Sequence, residues 1–218
     1  MTSSPRPRQA VEQHLTQPEG ELLVHTARDA IGIYIEKHKV IPSPLDATAR
    51  LREKSGVFVT LNTVKPTHEL RGCIGFPYPE APLIDSTIRA AIYAATEDPR
   101  FPPVGPDEFN RCVVVEVTAL TQPKPLDTTV RKKLPEMVLV GTHGLIIEGM
   151  GSSGLLLPQV AVEWDWDSSE FLSNCCMKAG LPPDSWLLDG VKVKVFEGEI
   201  FEELEPAGKV RRKPIGEK

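Results

Sequence analysis

Twenty-one of the 218 residues are proline, close to twice the usual frequency of about 5%. Proline fixes φ and lacks a backbone donor, so it interrupts helix interiors and central strands. Here the prolines cluster between the periodic runs, in Ile41-Pro42-Ser43-Pro44, Phe76-Pro77-Tyr78-Pro79 and Asp98-Pro99-Arg100-Phe101-Pro102-Pro103. The chain is therefore confined to short elements joined by fixed, irregular connections.

Between these breaks the periodicity is readable. Leu23, Ala27, Ala30, Ile31 and Tyr34 recur at helical steps, which predicts a helix from Glu19 to about Lys37–Lys39, where cations suit its end. Val57–Val64 is β-branched and aromatic and reads as a strand. Pro82 opens a second helix whose face carries Ile84, Ile88, Ala91, Ile92 and Ala95. Arg111–Leu120 alternates as a half-buried strand. Met137–Val140 and Leu145–Glu148 read as two strands about a tight connection at Gly141–Gly144, and Leu155–Val160 as a short strand with Pro158 at its end or edge. A third helix starts at Asp167 or Ser168 and stops at Gly180. Val191–Val195 alternates as a strand with its lysines outward. Helices and strands do not alternate regularly and hairpins are prominent, so the expected class is α+β with a largely antiparallel sheet.

A hydrophobic content of 40% with 25% charged residues describes an ordinary globular chain. The net charge of −5 weighs against broad phosphate contact with nucleic acid, although the basic tail keeps a local contact open. No apolar run approaches the roughly 20 residues of a membrane helix, and the first residues do not resemble a signal peptide. A cytoplasmic protein is expected. Cys73, Cys112, Cys175 and Cys176 show no metal or disulfide spacing and are expected to be reduced. The five histidines contain no ligand-spaced pair, and no Walker loop or GxGxxG is present. No metal or cofactor is expected.

The densest chemistry lies in Glu69-Leu70-Arg71-Gly72-Cys73-Ile74-Gly75. Two glycines bracket a thiol, marking either a sharp turn or a close approach by another group. In a turn, successive N–H groups would form an anion-holding nest with Arg71 beside it, and Glu69, Gly72, Ile74 and Gly75 join Arg71 as candidate ligand-binding residues. Arg71 would then anchor an anion and favour a Cys73 thiolate; alternatively it pairs with Glu69 or another acid, and Cys73 is a small packed residue. Arg100 carries the same two readings. His143, in its glycine-flanked connection, is a candidate base for Cys73, or else a turn residue. Glu163, beside two tryptophans, is a candidate buried carboxylate with a raised pKa, or a surface acid.

The segments Leu70-Arg71-Gly72-Cys73-Ile74-Gly75, Asp98-Pro99-Arg100-Phe101, Leu157-Pro158-Gln159-Val160 and Cys176-Met177-Lys178-Ala179-Gly180-Leu181, in this order, resemble the AMMECR domain family. The resemblance covers roughly residues 20–203. It implies a two-lobed α+β fold with the glycine–cysteine segment near a cleft, and a pathway shared with Memo-like and radical-SAM proteins. The expected organisation is a flexible arm over 1–18, the domain over 19–203 and a solvated basic tail over 204–218. Two functions are compatible with these residues. One is an enzyme acting on a small anionic or acyl-bearing substrate; the other is an adaptor that binds a ligand, a protein or nucleic acid without turnover.

Overall fold

The computed structural model describes residues 14–64 and 67–215. Most of the expected arm (1–13), half of the expected Lys65–His68 turn (65–66) and the last three tail residues (216–218) lie outside these.

Helix α1, Gln17–Lys37, starts where Thr16 and Glu19 form a reciprocal capping box, and it ends at His38 in a left-handed conformation. Strands β1 (Val57–Thr63) and β2 (Glu69–Phe76) follow as an antiparallel pair. Helix α2, Leu83–Thr96, begins behind Pro82. A short helix α3, Pro106–Cys112, delays strand β3 to Val113–Leu120. Next come β4 (Lys124–Pro125), α4 (Leu134–Met137), the hairpin β5 (His143–Gly149) and β6 (Ser152–Leu156), α5 (Pro158–Glu163) and α6 (Ser168–Lys178). Strand β7 runs over Lys192–Glu203 and β8 over Val210–Lys213.

The sheet order is β2-β1-β3-β7-β5-β6, with β4 and β8 also paired to β7, and every pairing is antiparallel. One side is covered twice. Around α1 and α2 a first core collects Leu23, Ile31, Val59, Ile88, Val115 and Phe201. Around α6 a second collects Leu145, Ile147, Phe171, Cys175, Val193 and Val195. The twelve-residue β7 belongs to both, so the two lobes share a strand. The sheet curls away from its helices: Tyr78, just past one terminal strand, hydrogen-bonds Ser153 of the other at 2.8 Å between hydroxyl oxygens. Inside the curl, Leu120, Ile146 and Phe196 pack with Phe58, Leu155 and Leu157 as a third, smaller core.

Several expectations change. Strand β3 is buried on both faces, not one, because it sits mid-sheet with α1 and α2 on one side and the inside of the curl on the other. Residues 137–140 form the end of α4 and a turn instead of a strand, and His143 opens β5. Pro158 starts a helix, where its fixed φ and missing donor cost nothing. The last residues of the expected arm are docked: Leu15 is buried, and its N–H donates to the Glu199 carboxylate at 2.9 Å. The tail is not simply solvated. It contributes β8, with Arg212 paired to Glu199 and Lys213 to Glu116 and Glu202.

Candidate functional site

The glycine–cysteine segment is an edge strand, not a turn. Neither Gly72 nor Gly75 has a positive φ, so no nest forms, and the close-approach reading applies. A Cβ at Gly72 would stand 2.2 Å from the carbonyl oxygen of Ala94 on α2. One at Gly75 would stand 2.2 Å from the Phe58 ring on β1. Glycine at 72 lets a helix lie directly against the strand, and at 75 it seats an aromatic ring. Ile74 packs against the first core.

Both arginines of the motif region are paired with acids. The pairing register slips between Leu61 and Asn62, which leaves Arg71 as the extra residue of a bulge on β2. Its guanidinium grips Glu108 of α3 in a bidentate pair, at 2.5 and 3.1 Å. Glu69, at the start of β2, is exposed and holds Thr63 through its backbone. Arg100 pairs with Asp98 through two hydrogen bonds of 2.9 and 2.7 Å. Asp98 also accepts the Cys73 N–H at 2.8 Å, and Arg100 donates to the Cys73 carbonyl at 3.3 Å. The two side chains thus offer β2 the donor and acceptor that a further strand would offer, and they close the sheet edge at Cys73. The hydrogen bonds from Arg100 hold the Asp98 carboxyl well below the usual carboxylate range.

Cys73 is a thiol at rest. Burial raises its pKa, and a hydrogen bond from the Thr60 hydroxyl, 3.3 Å from the sulfur, together with Arg100 opposes that rise without reversing it. The expected bases do not reach it. His143 lies on β5 two positions before Leu145, and strand alternation turns it with Leu145 and Ile147 to the helix-covered face, whereas Cys73 faces the inside of the curl. The His143 Nδ1 accepts the Leu139 N–H at 3.1 Å, and burial lowers its pKa. Glu163 is exposed at the end of α5, not a buried carboxylate.

What Cys73 does join is a polar row across the sheet. In register, Cys73 opposes Thr60, Thr60 opposes Glu116, Glu116 opposes Glu202 and Glu202 opposes Arg211. Directly opposed residues point to the same face, so all five face the inside of the curl. Lys213, two positions along β8, bridges Glu116 at 3.1 Å and Glu202 at 3.0 Å. Arg211 binds Glu202 at 2.7 Å. Burial raises the Glu116 pKa despite Lys213, while Lys213 itself is raised because its two carboxylates outweigh its own burial. At one end of the row is a cavity of about 510 Å³ whose lining includes Val64, His68, Val114, Glu202, Arg211 and Lys213.

Sequence reasoning missed Thr60, Glu116, Glu202, Arg211 and Lys213. The available signal was weak: Glu116 is the one acid in the valine-rich Val113–Leu120 run, and Glu202 lies in an acidic run beyond the strand that was read. Among the described residues, no group of three or more histidine, cysteine or acidic side chains is placed to hold a metal ion.

A family model described as AMMECR1 matches residues 24–201. Curated proteins of Thermococcus kodakarensis and Pyrococcus furiosus are each 54% identical over 198 residues, spanning 90% of this chain and 96% and 93% of theirs. The crystal structure of an uncharacterised protein from Pyrococcus horikoshii superposes with a TM-score of 0.83 at 51% identity, covering 92% of this chain and 98% of that one. The α+β architecture is thus common to both, and the chain belongs to the AMMECR1 family.

Proposed function

We propose that the inside of the curled sheet is a small-molecule site, and that the protein is an enzyme working there by proton transfer on a small anionic or acyl-bearing substrate. One observation carries this reading: Glu116, a buried carboxyl with a raised pKa, touches Lys213 beside an open cavity. A perturbed acid at a concavity is the arrangement that general acid–base work requires. Charge supports an anionic substrate. Among the charged side chains lining the cavity, Glu203 is paired with Arg28, which leaves Lys213 and Arg211 set against Glu202.

In this reading Lys213 and Arg211 draw the anionic group to the cavity, which His68 also lines. The Glu116 carboxyl gives its proton to the substrate, and the resulting carboxylate is stabilised by Lys213 at 3.1 Å. Cys73 and Thr60 extend the same row as neutral donors, so the role assigned to Cys73 is contact, not resting thiolate attack. Arg71 stands outside the site, held by Glu108.

The test is a thermal-shift screen of small carboxylates, phosphates and acyl esters against wild type, Glu116→Gln and Lys213→Met. Ligands that stabilise wild type and Glu116→Gln but not Lys213→Met, with turnover lost in Glu116→Gln, are the expected result. A ligand that stabilises all three proteins equally would place the site elsewhere. The adaptor reading is favoured by a different observation, an exposed apolar surface around Trp164.

A further inference from the structure

That surface is built by three elements of the second lobe. Met137 ends α4, Leu139 and Val140 lie in the following turn, and Val162 and Trp164 lie at the end of α5. All five are exposed, Leu139 by 55% and Trp164 by 67%. They are held together. The ideal Cβ position of Gly141 is 3.3 Å from Val162, and the Ser168 hydroxyl at the start of α6 donates to the Val138 carbonyl at 3.0 Å. Trp166 packs against the second core, and Trp164 stacks on it with ring centroids 6.0 Å apart and an interplanar angle of 18°. Between them Asp165 adopts a left-handed φ of 54°, which turns the chain so that the two indoles meet. An exposed indole is thereby held in one orientation before any partner arrives.

Contiguous exposed apolar surface that includes tryptophan and methionine is the composition of an interface centre. The segment that builds it is acidic. From Leu134 to Met177 the sequence contains no lysine or arginine. The acids of this stretch that flank the apolar residues are Glu136, Glu163, Asp165, Asp167 and Glu170, all exposed. Lys132 and Lys133 lie upstream of α4 and are the nearest cations in sequence.

We propose that this surface docks a cationic amphipathic helix of a partner protein, with large apolar side chains seated against Trp164 and Leu139 and its lysines or arginines meeting the acidic rim. Charge complementarity decides between occupants. The acids repel an anionic membrane surface, and a second copy of this chain would bring the same acids against them. The docking surface lies outside the polar row inside the curl, and its occupancy does not depend on the small-molecule site.

The probe is a fluorescein-labelled 18-residue leucine–lysine amphipathic helix, followed by anisotropy, with a leucine–glutamate counterpart and phosphatidylcholine vesicles as comparisons. The leucine–lysine peptide is expected to bind wild type and to weaken as salt rises, while the leucine–glutamate peptide does not bind. Trp164→Ala should weaken it by about tenfold or more, and the double variant Glu136→Lys/Glu163→Lys by a similar factor. Leu45→Ser, at a 98% exposed position outside the patch, should leave binding unchanged. Circular dichroism establishes that each variant is folded. Binding that survives both Trp164→Ala and the charge reversal overturns the proposal, as does binding of the vesicles but not the peptide.

Discussion

Gly72→Ala tests the physical account of the glycine–cysteine strand most directly. The added methyl would stand 2.2 Å from the Ala94 carbonyl oxygen and 3.2 Å from its carbon. Carbon–oxygen contacts between packed backbones settle near 3.3–3.6 Å, so the deficit is about 1 Å. No side chain can rotate away, because the obstruction is the backbone of α2. Relief requires β2 and α2 to separate along a face where Ala91, Ala95 and Ile74 also pack, and each of those contacts would loosen. Overpacking of this kind costs about 1–3 kcal/mol and occasionally more; backbone against backbone belongs at the upper end. Stiffening the unfolded chain returns about 0.4–1 kcal/mol, which leaves a net loss of about 2–3 kcal/mol. At about 2–4 °C per kcal/mol for a chain of this size, calorimetry should show the melting temperature falling by about 5–10 °C. Gly105→Ala is the control. Its Cβ meets nothing within 4 Å, and the lost N-cap preference offsets the backbone gain to within about 1 kcal/mol. A Gly72→Ala protein that melts within about 2 °C of wild type would refute the close-approach reading and reopen a conformational role for this glycine.

Three further outcomes are expected. Asp98→Asn should destabilise by about 2–3 kcal/mol at neutral pH in urea unfolding, since a buried acceptor of the Cys73 N–H and Arg100 is impaired. Because the folded pKa of Asp98 lies below its ordinary value, its contribution is complete above about pH 4 and is lost as pH falls through the folded pKa, so the deficit should shrink in acid. Cys73 should alkylate more slowly near neutrality than a free thiol, as followed by mass spectrometry, and Arg71→Ala should leave that rate unchanged whereas Arg100→Ala slows it further; faster labelling than a free thiol would contradict the buried-thiol assignment. Glu116 carries a raised pKa in the fold, so wild-type stability falls as pH rises from about 4.5 toward neutrality through this group. Melting curves of Glu116→Gln should therefore gain on wild type over that interval, and a parallel pH dependence would remove Glu116 as the buried acid.

The local features were legible because their causes are local. Leu23, Ala27, Ala30, Ile31 and Tyr34 mark α1 by their helical steps, Asp167 and Gly180 bracket α6, and the Val57–Thr63 run carries its own β preference. Misreadings arose where one residue type serves two roles. Pro158 ends a strand or begins a helix with equal local merit, and the helix wins because α5 buries Ala161 in the second core. Gly141–Gly144 carries the composition of a tight connection, yet His143 and Gly144 pair with β7. The absent side chain at 144 makes room for the Phe196 ring.

By itself, the sequence determined the proline-divided element plan, the α+β class and the importance of the segment around Cys73, since turn chemistry, periodicity and a motif all act over a few neighbouring residues. Only the tertiary structure decided what that segment does. Glu108, 37 residues from Arg71, removes the expected anion anchor; Asp98 and Arg100 close the strand edge; and Glu116, Glu202 and Lys213 meet Cys73 and Thr60 in one row. These outcomes depend on strand register and on the curl of the sheet. Both are set by burying three separate cores at once, a balance among residues up to two hundred positions apart that no local pattern records.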